Sequence, residues 1–149
     1  MELEKIEKEN QLYNNIFGPR KPNSIPGIQD YSIEQLDLMT GKQFEDFISE
    51  LFGRLGYKTK VTKTSGDQGI DVIVEKNNMI IGIQTKCYSS KVGNAAIQEA
   101  VAGKAFYHLY RVMVITNNYF TKSASELAEA NGVILWDRSI LDEKMNSLL

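Results

Sequence analysis

The chain has 149 residues, 42% of them hydrophobic and 24% charged, which is enough for one domain with a sizeable core. No apolar run approaches the ~18 residues of a membrane-spanning helix, and the opening MELEKIEKEN has no apolar stretch that would make it a secretory signal. One cysteine (Cys87) and one histidine (His108) exclude an internal disulfide and a Cys/His zinc cage within the chain, and they fit a reducing cytoplasmic setting; the net charge of −2 does not by itself advertise nucleic-acid binding.

In chain order, residues 1–38 read as an appendage. A polar helix is expected over residues 2–15, and Gly18 to Gly27 holds all three prolines and reads as an extended linker. The compact domain is expected over 39–149. It opens at Thr40, which has capping-box spacing to Gln43. Phe44, Phe47, Ile48, Leu51, Phe52 and Leu55 then recur at helical spacing, and Gly56 stands where the helix should stop. Glu45 borders this apolar stripe beside Ile48 and Phe52, whereas Asp46 and Glu50 are expected in solvent.

Tyr57 to Thr64 reads as a first strand. The next two form a hairpin, IDVIVEK and MIIGIQTKCY, around Asn77-Asn78, a pair that tolerates the left-handed angles of a two-residue turn. That turn puts Lys76 opposite Met79, Ile73 opposite Gly82 and Asp71 opposite Gln84. Lys86, two residues on, projects from the same face as Gln84. A helix is expected from Asn94 through His108, with Ile97, Val101, Ala105 and Leu109 as its apolar stripe. A buried strand from Arg111 to Thr116 follows. Ser123 to Glu126 has capping-box spacing for a helix ending near Asn131 at Gly132. A short strand from Val133 to Trp136 and a last helix from Arg138 complete the order. The fold class is therefore α/β, a mixed sheet with helices on its faces.

A carboxylate, an amide and an ammonium on one patch of an apolar sheet are costly without a function. Mg²⁺ prefers hard oxygen ligands and keeps several waters. Asp71, the side-chain oxygen of Gln84, the backbone carbonyl of Thr85 and Glu45 form a sufficient set of donors. Lys86 suits either proton transfer or charge stabilisation, and the sequence leaves both open. Charge is distributed in keeping with this. Gly53 to Arg111 carries nine basic residues and four acids, against 8 basic and 15 acidic elsewhere, so a polyanion would approach the hairpin favourably. Asp67 is read as turn chemistry, Cys87 as core packing, His108 as structural or solvated, and Gln98 as a helix-surface residue. Tyr119 and Phe120 suit either a nucleic-acid contact or packing.

Gly69-Ile-Asp71 followed by Gln84-Thr-Lys86 resembles the motif of the PD-(D/E)XK nuclease superfamily. Within it the chain is most similar to Mrr-like restriction endonuclease catalytic domains, over about residues 38–140. The resemblance implies a restriction-endonuclease-like core of order α-β-β-β-α-β, with Glu45, Asp71, Gln84 and Lys86 as catalytic residues. In that branch a glutamine replaces the first acid of the (D/E)XK half. It further implies Mg²⁺-dependent hydrolysis of DNA, with Mn²⁺ substituting, in a restriction or defence system. A homodimer would cut both strands, and residues 1–38 would serve tethering, dimerisation or docking of a partner protein. Two alternatives accompany this reading: a structure-selective nuclease such as a junction resolvase, and a non-cleaving nucleic-acid-binding subunit that retains the fold.

Overall fold

The computed structural model describes residues 31–62 and 68–148, together with 3–4 and 7–8. Most of the helix expected over 2–15, the linker at 18–27, and Lys63, Thr64 and Asp67 lie outside the described residues.

Helix α1 (Ile33–Leu36) is a single turn that buries Ile33 and Leu36 in the core. Helix α2 (Gly41–Arg54) begins at a reciprocal cap: Thr40 Oγ1 accepts from the Gln43 amide at 3.1 Å, and the Thr40 amide donates to Gln43 Oε1 at 2.9 Å. Its buried face is the expected one, with Phe44, Phe47, Ile48, Leu51 and Phe52 at 0–1% exposure. Glu50 departs from expectation. It is 6% exposed rather than solvated, and its neutralising neighbour is Arg54 one turn on, at 3.4 Å.

Strands β1 (Lys58–Val61), β2 (Val72–Lys76), β3 (Met79–Lys86), β4 (Arg111–Thr116) and β5 (Ile134–Trp136) form one sheet in that spatial order. β1, β2 and β3 are antiparallel neighbours, whereas β4 and β5 continue parallel to β3. Asn77 and Asn78 both adopt positive φ, 53° and 66°, as the two-residue hairpin turn requires. The register is Lys76 opposite Met79 and Ile73 opposite Gly82. The strict pairing ends at Val72 opposite Ile83. The Asp71 amide also donates to the Ile83 carbonyl, at 2.8 Å, a one-residue offset as at a β-bulge. Asp71 therefore does not take the expected place directly opposite Gln84, and its carboxylate bonds Thr85 instead.

The pleat sorts side chains into two cores. Val72, Val74, Ile81, Ile83, Met113 and Ile115 face α2 and helix α5 (Arg138–Asn146). Val112 and Val114 face α3 (Asn94–Phe106) and α4 (Lys122–Asn131). α3 is rotated from its expected setting. Ala96, Ile97, Ala100 and Gly103 are buried, Val101 is half-buried and Ala105 is exposed. Small residues let the helix approach closely: a Cβ on Gly103 would lie 2.5 Å from the Ile70 side chain. α4 is capped by Thr121, whose hydroxyl accepts from Ala124, rather than by Ser123, and Gly132 ends it with φ +66°.

Candidate nuclease site

The site lies where β3 ends and the two helical layers meet. Gln84 and Lys86 project toward α3, while Thr85 projects the other way. Asp71 spans between them. Its Oδ2 accepts the Thr85 amide at 2.8 Å and the Thr85 hydroxyl at 3.1 Å, so the carboxylate is anchored across the end of the sheet. Glu45 reaches this carboxylate from the first turns of α2. Together with Gly41, Lys42, Gly69, Gln84, Lys86 and Glu99, these residues line a cavity of about 530 Å³.

Burial governs the electrostatics. Glu45 is 6% exposed. Burial first, and then the negative charge of Asp71 beside it, push its carboxyl up to about 7, with Lys42 only partly opposing them. Two carboxylates held together in this way favour either a shared proton or a cation. Burial by itself would lower the Lys86 ammonium; its contact with Glu99 Oε2 at 3.0 Å, together with Tyr88, offsets burial and holds it above its ordinary value. Gln84 is 4% exposed, and its Nε2 donates to the same Glu99 oxygen at 3.1 Å. Its Oε1 is buried and, among the described residues, has no hydrogen-bond partner.

That orphaned oxygen decides whether the donor set fits a divalent ion. Among the described residues no group of three His, Cys, Asp or Glu converges as a metal cage. The available donors are mixed: two carboxylates (Glu45 and Asp71), one unpaired amide oxygen and the neighbouring Thr85 backbone. Such a set fits a hard, partly hydrated cation and does not fit zinc.

The structure brings Glu45, Asp71, Gln84, Thr85 and Lys86 together. It adds Glu99, which was not among the expected site residues and whose side chain is 46% exposed; Gln98 is a helix-surface residue, as expected. The signal lay in Ala96, Ala100 and Gly103. A helix buried on its small residues turns Glu99, three past Ala96, toward the sheet. Cys87 packs on the α2-side core, with Sγ 3.4 Å from the Leu36 carbonyl. His108 is an exposed turn residue with φ 55°. Tyr119 is 43% exposed, and Phe120 packs against the α3-side core.

An antiparallel hairpin joined to parallel strands, with an acid before β2 and a Gln-X-Lys at the end of β3, is the architecture of the PD-(D/E)XK nucleases. A family model described as restriction endonuclease, Mrr_cat, matches residues 36–145, and the chain belongs to that family. The chain is 25% identical over 146 residues to the uncharacterised protein y4cE of Sinorhizobium fredii, an alignment that takes in 83% of this chain and 36% of that protein. Among solved structures it resembles the DNA modification-dependent restriction endonuclease AspBHI (TM-score 0.62, 18% identity, 87% of this chain and 40% of that one). It also resembles the MspJI restriction endonuclease, solved with a 27-mer oligonucleotide (TM-score 0.56, 16% identity, 85% and 35%). These structural likenesses speak for the fold, and the chain spans little more than a third of y4cE.

Proposed function

We propose that the protein is a Mg²⁺-dependent DNA endonuclease of a restriction or defence system, with Mn²⁺ able to substitute. The observation that carries this reading is the buried Gln84 Oε1, without a hydrogen-bond partner among the described residues, in a cavity shared with the adjoining carboxylates of Glu45 and Asp71. When bound, the cation supplies positive charge to a scissile phosphate and acidity to water. Asp71, braced by Thr85, and Glu45 hold it from the acidic side. Gln84 contributes its oxygen, and Thr85 its backbone carbonyl. Lys86, fixed beside the cavity by Glu99, offers charge to the phosphate as negative charge accumulates.

DNA is the proposed substrate, supported by family membership and by the basic surplus around the hairpin. Cutting both strands calls for two such sites, hence a homodimer. Among the described residues no helix is long and apolar enough to cross a membrane, and the proposed location is the cytoplasm. Residues 1–38 are proposed to tether or dock a partner protein, although Ile33 and Leu36 within that span pack into the core. The test is plasmid cleavage with Mg²⁺, compared with EDTA, Asp71→Ala and Lys86→Ala. Cleavage that survives both substitutions contradicts the assignment. Binding of Mn²⁺ lost in Asp71→Asn supports it, even where a plasmid lacks the recognised feature.

A further inference from the structure

A glutamine in place of an acid creates a problem that the rest of the site must solve. A carboxylate presents oxygen from either end, whereas a carboxamide presents oxygen from one end and a donor from the other. The acceptors that line the same cavity include Glu45 and Asp71, the same groups proposed to hold the cation. An amide free to turn would direct its N–H toward them and set a donor where a cation needs a ligand.

Glu99 removes that freedom. Its Oε2 lies 3.1 Å from Gln84 Nε2. A carboxylate only accepts, so the nitrogen is the end that faces it and Oε1 is the end left over. That oxygen is buried and, among the described residues, without a hydrogen-bond partner. The same Glu99 oxygen takes Lys86 Nζ at 3.0 Å, so one atom sets the mutual placement of both members of the Gln-X-Lys pair. Glu99 is itself fixed by backbone packing. A Cβ on Gly69 would collide with the Glu99 carbonyl oxygen, and Gly103 lets α3 close onto Ile70. The loop before Asp71 and the helix carrying Glu99 therefore meet without an intervening side chain.

We propose that Glu99 is the positioning residue that makes Gln84 usable as a cation ligand, by accepting its amide N–H and turning the carbonyl oxygen into the cavity. This rests on the reading of the cavity as a divalent-cation site. In effect, a carboxylate lost from the strand is replaced by one on α3 that orients the neutral ligand rather than binding the ion.

The experiment uses the full chain. In the metal-free protein, ¹⁵N spectra follow the Gln84 side-chain amide, assigned through Gln84→Ala. Calorimetry follows Mn²⁺ binding. Glu99→Ala and the similarly sized Glu99→Met remove the acceptor; Glu99→Gln keeps one, through its own Oε1. The expected result is that the Gln84 amide signals move to the position of a free glutamine in Glu99→Ala and Glu99→Met. Mn²⁺ affinity should fall about 10-fold or more in both, the usual scale for loss of a group that orients a ligand, while Glu99→Gln should recover most of it. Amide signals that do not move, or an Mn²⁺ affinity equal to wild type in both acceptor-less variants, would overturn the proposal. Asp71→Asn serves as the separate control. If it binds Mn²⁺ like wild type, the cation site itself is refuted, and the Gln84 amide signals still report whether Glu99 holds that side chain.

Discussion

The two lysines of the central hairpin, ten positions apart, stand in opposite environments. Lys76 closes the turn end of the sheet. It is exposed, reaching the Leu55 carbonyl at 3.2 Å and the Tyr57 ring at 5.1 Å. Lys86 ends the other strand of the hairpin with its side chain only 16% exposed, paired to Glu99 and close to two carboxylates and a buried amide. Nothing in the sheet's own architecture requires charge to be buried at one end and solvated at the other. The turn end shows the low-cost solution, and the site end shows polar groups retained against a desolvation penalty of several kcal/mol per ion. A difference of this kind within one hairpin marks the buried end as a built site.

The largest effect should come from breaking the buried end. Asp71→Ala and Lys86→Ala are each expected to lower the DNA cleavage rate by about 10²–10³-fold or more, the scale seen for loss of a pre-placed charge or donor, with circular dichroism unchanged. Lys76→Ala under the same assay should fall within about twofold of wild type, as expected of an exposed pair. An equal loss from both lysines would erase the distinction between the two ends.

Next in size is the backbone that brings α3 to the site. Gly69 has φ +83°, and a side chain there would strike the Glu99 carbonyl. Gly69→Ala should lower stability by more than about 1 kcal/mol in urea denaturation. It should also weaken cleavage by displacing Glu99. Gly53→Ala meets nothing within 4 Å and lies in a helix, so it should be neutral or stabilising.

The smallest effect concerns an ion pair away from the cavity. Arg138 hydrogen-bonds Asp37 at 2.7 Å and holds its carboxyl below the ordinary value of 3.8, with Asn117 assisting against burial. A carboxylate with a depressed folded-state pKa contributes stability that is fully present above the unfolded value and is lost as pH falls through the folded one. Asp37→Asn should therefore weaken the fold slightly at neutral pH and leave less stability to lose below about pH 4, measured as melting temperature against pH.

Much of this contrast was legible in the sequence where local chemistry dictates structure. Asn77-Asn78 set the hairpin register as far as Val72 opposite Ile83, but the one-residue offset at Asp71, which leaves its carboxylate on Thr85, was not visible in that spacing. The Phe44 to Phe52 spacing located α2 and left Glu45 at the border of its buried stripe. What escaped was set by packing at a distance. The rotation of α3 follows Gly103 fitting against Ile70, not the larger Val101 and Leu109, and that rotation brings Glu99 to the site. Glu50 likewise looks solvated on its own helix, yet it is buried beside Arg54 in the folded chain. The cap of α4 fell to Thr121 because two nearby hydroxyls offer similar local chemistry, and the chain's approach angle selects between them.

The central claim is that the end of β3 holds a divalent cation between Asp71, Glu45 and the Gln84 side-chain oxygen. A crystal structure with Mn²⁺, read by anomalous scattering, tests it directly. A single strong peak is expected in the cavity about 2.0–2.3 Å from an Asp71 oxygen and from Gln84 Oε1, with the Gln84 nitrogen still on Glu99. A cavity without a peak, or a Gln84 amide turned so that its nitrogen faces the ion, would contradict it.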